Sequence, residues 1–183
     1  NWSGLVLDGC SKNIEFIKKD FTYWKYDLTA KQTFITKDNI NELIASYTTI
    51  KDIGLLSVDI DGNDYWVWDA LEVIQPQVVI IETHNEFGME NIVVPYDPNY
   101  SYPGKHPIYH GASPIAMTKL ANKKGYRLVG ANELGFNFIF VKNGLADSQI
   151  PEVSVESVLT HPSVAEGHKQ FEEIKDWEYL EGQ

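Results

Sequence analysis

The sequence has one cysteine, few basic residues and no long apolar run, and each shortage excludes a class of protein. With Cys10 alone, neither an internal disulfide nor a thiolate-based zinc cluster can form. Fifteen Lys and Arg residues stand against 26 Asp and Glu residues, a net charge of −11, so we do not expect the basic surface that nucleic acids require. No apolar stretch approaches the roughly 20 residues that span a bilayer, and no charged-then-apolar leader is visible. We therefore expect a cytoplasmic protein that avoids nucleic acid and membrane and binds a small molecule or a saccharide.

The middle of the chain predicts a strand, a helix and a second strand. Ile53–Asp59 is a continuous apolar strand that leads into a sharp polar turn. From Tyr65, apolar residues repeat at helical spacing until Pro76 prevents continuation. Gln77–Glu82 is β-branched on both faces, which is typical of a strand inside a parallel sheet. This order predicts a right-handed βαβ unit in an α/β domain.

The flanking segments extend the α/β pattern. Before the βαβ unit we predict a strand at Gly4–Gly9, a helix capped by Ser11, an edge strand at Phe21–Leu28 and a helix at Asp38–Ile44. After it, residues 83–110 lack periodicity, and Ser113 caps a further helix. The last two predicted strands, Tyr126–Gly130 and Phe136–Val141, are too close for a crossover and must pair antiparallel. We predict a domain over residues 1–145 and a packed tail over 146–183, with helices near Ser154–Leu159 and Val164–Lys175.

Three acids end predicted strands, namely Asp8, Asp59 and Glu82. Because the carboxyl ends of parallel strands form the ligand-binding edge of such sheets, we expect all three to converge at one rim. Asp8 could accept hydrogen bonds from ribose hydroxyls. Asp59 and Glu82 could orient a cationic cofactor or act as a general base on a hydroxyl. A purely structural role for each acid, in a turn or a helix cap, stays open.

The residues after Glu82 supply further candidates. Histidine exchanges protons readily near physiological pH, so His84 is a candidate catalytic base, ahead of His106 and His110. A divalent metal is a further option for the two acids, with additional ligands from Asp61, His84 or Asn85.

Four segments together resemble FkbM-like methyltransferases. They are Asn1–Gly9, Leu55–Tyr65, Val78–Glu82 and Lys124–Val141, and the likeness extends over nearly the whole chain. The resemblance implies a Rossmann-like class I methyltransferase sheet with a carboxy-terminal antiparallel hairpin. It also implies S-adenosylmethionine as cofactor, bound by Asp8 and Asp59, and methyl transfer to a hydroxyl in which Asp59, Glu82 and His84 are catalytic.

One departure from the family concerns its first strand and glycine-rich loop, which wrap the methionine part of the cofactor. The sequence starts after them, so we expect a sheet without that strand, an incomplete cofactor site and a homodimer formed through exposed strand edges. The resemblance therefore leaves the activity of this chain itself open. Two other functions remain: a metal-dependent glycosyltransferase, because Asp59-Ile60-Asp61 resembles a DxD element, and a self-associating module without activity.

Overall fold

The computed structural model describes residues 2–183, and a four-stranded mixed sheet occupies the centre of the fold. Its strands are β3 (Leu55–Val58), β4 (Val78–Glu82), β6 (Tyr126–Ala131) and β7 (Asn137–Lys142), in the order β3-β4-β7-β6. β3 and β4 are parallel, whereas β7 is antiparallel to both β4 and β6. The predicted βαβ pairing, the interior position of β4 and the closing antiparallel hairpin are therefore confirmed.

Three helices pack around this sheet and bury its apolar side chains. They are α3 (Ile40–Tyr47), α4 (Asp64–Ala70) and α5 (Pro114–Lys123). α3 begins at Ile40, two residues later than predicted. The Ser113 hydroxyl accepts a hydrogen bond from the Ala116 N–H, so Ser113 caps α5 as predicted. Trp68 of α4 lies in the main core and is 1% exposed. Burial of this core provides most of the stabilisation of the fold.

The amino-terminal segment forms a separate parallel pair of strands. Its elements are β1 (Ser3–Asp8), α1 (Ser11–Lys19), α2 (Phe21–Lys25) and β2 (Asp27–Gln32). The predicted strand at Phe21–Leu28 is wrong over its first half, which is helical. The Asp20 carboxylate accepts a hydrogen bond from the Thr22 N–H at 2.7 Å and so starts α2, although the aromatic residues alternate as in a strand.

The long segment after β4 and the carboxy-terminal tail contact each other. They contain a 3-10 turn at Asn85–Phe87, β5 (Ile92–Val93), α6 (Val155–Val158), α7 (Pro162–Phe171) and β8 (Leu180–Glu181). β5 pairs antiparallel with β8, so the loop is more ordered than its sequence indicates. A core cluster separate from the main core, which includes Phe87, Ile108 and Phe171, joins the loop to α7. Across the described residues, none of the helices is long and apolar enough to cross a bilayer.

Candidate functional site

Three carboxylates meet at the edge of the central sheet where β3 and β4 end. Asp59 follows β3 directly, and Glu82 is the last residue of β4. Because the parallel register pairs Val58 with Ile81, the acids that follow them lie side by side. Asp61 comes from the turn after β3, and one carboxylate oxygen from each acid lies within 4.8 Å of the other two. We call Asp59, Asp61 and Glu82 the rim carboxylates.

Glu82 is the most strongly perturbed of the rim carboxylates. Burial, and then the negative charges of neighbouring acids led by Asp64, raise the pKa of Glu82 to about 8. Its Oε2 atom is buried and has no hydrogen-bond partner within residues 2–183. Burial and the charge of Asp61 also raise the pKa of Asp59, although a hydrogen bond with Asn137 opposes the shift. Glu82 therefore retains a proton at neutral pH and would lose it to solvent when a cation binds nearby.

The turn that presents Asp61 is held by the buried carboxylate of Asp64. This residue begins α4, is 1% exposed, and accepts hydrogen bonds from the Ile60 N–H at 2.9 Å and the Gly62 N–H at 3.0 Å. Burial raises the pKa of Asp64 to about 6 despite these bonds. Asp61 lies between the two N–H donors, Ile60 and Gly62, and adopts a left-handed backbone with φ of 56°. The sequence predicted the sharp turn but missed Asp64 as the residue that organises it.

The long loop closes against this turn through the ring of Tyr100. Gly62 has a φ of 149°, and a Cβ atom there would lie only 2.5 Å from the Tyr100 Cε1 atom, so only glycine fits. The Asn63 side chain donates a hydrogen bond to the Asp97 carbonyl oxygen at 2.9 Å. Burial, and then the charge of Asp61, raise the pKa of Tyr100 to about 12. Tyr100 therefore stays protonated beside the rim carboxylates.

His84 lies in a buried cluster with Glu86 and His110. The His84 Nδ1 atom is 3.4 Å from the Glu86 Oε2 atom, within ion-pair range but outside hydrogen-bond geometry. The His84 and His110 rings meet edge to face, with 3.9 Å between their centroids. Gly111, with φ of 70°, allows this packing, since a Cβ atom there would lie 2.5 Å from the His84 Cδ2 atom. The sequence predicted His84 as a site residue but gave no sign of its neighbours, because His110 reaches it across a long loop.

Burial and the charge of His84 shift the pKa values of Glu86 and His110. Burial alone would raise the pKa of Glu86, but the adjacent His84 ring holds it below its ordinary value. Burial, and then the charge of His84, lower the pKa of His110 to about 3, so His110 is neutral. Its Nε2 atom lies 2.9 Å from the Pro107 carbonyl oxygen, which can only accept, so Nε2 carries the hydrogen. The lone pair of the His110 Nδ1 atom is therefore buried and has no partner in the described part of the chain.

Asp8 does not join the rim carboxylates. It ends β1, which pairs with β2 alone, so the expectation of one sheet shared by Asp8, Asp59 and Glu82 is wrong for the described residues. The Asp8 carboxylate accepts hydrogen bonds from the Cys10 N–H at 2.6 Å and the Asn13 amide at 3.0 Å. These bonds fix the turn into α1, which is the structural role that the sequence had left open.

Asn85 and His106 are also held by contacts away from the rim. The Asn85 amide donates a hydrogen bond to the Leu134 carbonyl oxygen at 2.7 Å, which ties the 3-10 turn to the β6–β7 connection. His106 lies 3.9 Å from the Glu173 carboxylate in the tail. His106 is not among the residues that could together hold a metal ion, which are the three rim carboxylates in the described part of the chain.

An excess of hydrogen-bond acceptors distinguishes this part of the structure. Among residues 2–183, the buried atoms of these side chains that lack a hydrogen-bond partner are Glu82 Oε2, both His84 ring nitrogens, Asn85 Oδ1, Glu86 Oε2, the Tyr100 hydroxyl and His110 Nδ1. Buried polar atoms normally have partners, so such a concentration is typical of a site that binds solvent or ligand. Two of the seven atoms are carboxylate oxygens, and Glu82 meets the exposed carboxylates of Asp59 and Asp61, so the rim could hold a divalent cation or face a cationic cofactor.

No family model and no curated protein matches the chain. The chemistry of the site must therefore be inferred from its side chains and their geometry.

Proposed function

We propose that this chain forms part of an S-adenosylmethionine-dependent methyltransferase that acts on a hydroxyl group. The observation that carries the proposal is the meeting of Asp59 and Glu82 at the carboxyl end of two parallel strands, in a sheet that closes with an antiparallel hairpin. Ligands of open α/β sheets bind at this edge. The Rossmann-like class I methyltransferase fold belongs to the same proposal.

The rim carboxylates suit a cofactor that carries a positive charge. S-adenosylmethionine, when bound, supplies an electrophilic methyl group on a sulfonium centre. The unpartnered Oε2 atom of Glu82 and the exposed carboxylates of Asp59 and Asp61 would hold that charge. A ribose contact by Asp8 rests on the sequence resemblance alone, since its carboxylate already holds the turn into α1.

Glu82 is our candidate for the general base. With a pKa of about 8 it carries a proton at neutral pH in the absence of a cation. A positive charge nearby would lower that pKa and leave a carboxylate whose Oε2 atom can accept the proton of the acceptor hydroxyl. Asp64 supports this role by fixing the turn that carries Asp61. His84, paired with Glu86, is a second candidate for the proton acceptor.

Calorimetry on the full chain tests the proposal. We expect S-adenosylmethionine to bind the wild-type protein and to bind Asp59→Asn and Glu82→Gln roughly tenfold more weakly, equal to about 1.4 kcal/mol each. Glu152→Gln is the matched control, because Glu152 is exposed and lies outside the rim. Circular dichroism confirms that each variant is folded. Absence of binding to the folded wild-type protein would defeat the proposal.

One observation favours a second candidate, a metal-dependent glycosyltransferase. Asp59 and Asp61 form a DxD element, and Glu82 brings a third carboxylate within 4.8 Å of both. The same calorimeter separates the two functions: binding of UDP-glucose that requires Mn²⁺ and is lost in Asp61→Asn would support the glycosyltransferase.

A further inference from the structure

The loop between β5 and α5 forms a pocket beside the rim carboxylates. The pocket has a volume of about 380 Å³ and is walled by the rings of Tyr96, Tyr100 and Tyr109. Tyr100 belongs to both regions, because its ring lines the pocket while its atoms pack on Gly62 of the rim turn. A ligand in the pocket would therefore lie next to the proposed catalytic acids.

Two of the three tyrosine rings, those of Tyr96 and Tyr109, make contacts that hold them in place before any ligand arrives. The Tyr109 hydroxyl donates a hydrogen bond to the Glu178 carbonyl oxygen at 2.6 Å. The Tyr96 ring carries the Lys37 ammonium 4.3 Å from its centroid, which occupies one face of that ring. Rings fixed in this way lose little conformational entropy when a ligand packs on them.

Polar residues also line the pocket. They are Asp97, Asn99, Ser101, Lys105 and Glu178. The side chains of Asn99, Ser101 and Lys105 are exposed and make no hydrogen bond or ion pair with residues 2–183. The amide, hydroxyl and ammonium groups of these side chains can therefore donate hydrogen bonds to a ligand that packs on the tyrosine rings.

This combination fits a polyhydroxylated ring better than its competitors. A sugar presents C–H faces to aromatic rings and hydroxyls, both donors and acceptors, to a polar margin. A planar aromatic ligand would leave most of that margin unpaired. Among the residues that line the pocket, a nucleotide phosphate would meet two acids, Asp97 and Glu178, and one base, Lys105.

We propose that this pocket binds a neutral hexopyranose unit and serves as the acceptor subsite of the methyl transfer. The subsite role rests on the proposed function, whereas sugar binding itself does not. Asn99 and Lys105 would determine the orientation of the sugar through its hydroxyls, and Tyr100 would pack on the sugar at the side of the pocket next to the rim turn.

Nuclear magnetic resonance on the ¹⁵N-labelled full chain tests sugar binding without any cofactor. The probes are the methyl glycosides of glucose, mannose and galactose, with catechol as the planar competitor. We expect at least one glycoside to shift amide resonances within residues 94–109. We expect Asn99→Ala and Lys105→Met to weaken that binding roughly three- to tenfold, the loss of about one hydrogen bond each. Lys119→Met is the control, because Lys119 is an exposed lysine of α5 outside the pocket.

The proposal is overturned if no glycoside shifts the loop resonances, if catechol alone does so, or if Lys105→Met binds as the Lys119→Met control does. Failure of the methyltransferase proposal looks different. In that case the glycoside still shifts residues 94–109, while S-adenosylmethionine fails to bind in calorimetry.

Discussion

Replacing Glu82 by glutamine should stabilise the protein at alkaline pH and leave it unchanged at acid pH. The folded-state pKa of Glu82 lies near 8, raised from 4.5 by burial and by neighbouring acids. Because the folded pKa is raised, this carboxyl contributes stability that is fully present below pH 4.5 and is lost as the pH rises through 8. At about 1.36 kcal/mol per pKa unit, the full shift corresponds to about 5 kcal/mol.

Glutamine has nearly the same shape and cannot ionise, so it removes that loss. Since solvent and small rearrangements relieve part of the penalty, we expect Glu82→Gln to be about 2–4 kcal/mol more stable than wild type at pH 8.5. At pH 4.5 the two proteins should agree within about 0.5 kcal/mol. The raised pKa of Asp64, about 6, adds its own pH dependence to both proteins, and the difference between variant and wild type removes most of it.

Urea unfolding followed by tryptophan fluorescence at four values between pH 4.5 and 8.5 measures this difference. Glu152→Gln, at an exposed position, should give the same stability as wild type at every pH. If Glu82→Gln shows no gain at pH 8.5, or an equal gain at all pH values, then the Glu82 carboxylate is not destabilised by its surroundings and the account of the rim is wrong.

Three further substitutions test the structure around the site, each by urea unfolding at pH 7. Asp64→Ala leaves two backbone N–H groups in the turn without their acceptor and should cost about 2–4 kcal/mol; a cost below about 0.5 kcal/mol would show that the turn does not depend on it. Gly111→Ala places a methyl group against the His84 ring in a left-handed backbone and should cost about 2–4 kcal/mol, whereas Gly54→Ala, which meets no atom within 4 Å, should cost under about 1 kcal/mol. Equal effects of the two alanines would refute the packing of His84. Arg127→Met removes a buried guanidinium that donates to three carbonyl groups and should cost about 3–5 kcal/mol; a neutral result would mean that the tail is anchored by other contacts.

The central sheet could be predicted because its strands carry the strongest sequence signals. Val78–Glu82 is apolar on both faces, as an interior strand must be, and the short link between β6 and β7 permits only an antiparallel pair. The strand expected at Phe21–Leu28 failed because aromatic alternation there competes with a local helix start. The Asp20 carboxylate binds the Thr22 N–H, and that cap decides the outcome.

The candidate site could be predicted only where residues lie at strand ends. Asp59 and Glu82 meet because parallel register dictates it. Asp64 could have been recognised as an acid in the first turn after a strand, where a carboxylate meets unpaired N–H groups. The contact between His84 and His110 could not have been predicted from the sequence, because it depends on the course of a loop without periodicity. The separation of Asp8 likewise follows from pairing between β1 and β2, which the sequence does not specify.

The pairing of β5 with β8 has a consequence for the order in which the protein can fold. The Asn91 amide contacts the Glu181 carboxylate 90 residues later, and Leu180 pairs with Val93. During synthesis, the loop that carries Tyr96 and His110 therefore cannot reach its native arrangement until Leu180 and Glu181 have left the ribosome. A nascent chain arrested before Leu180 should have an ordered central sheet and a protease-sensitive loop.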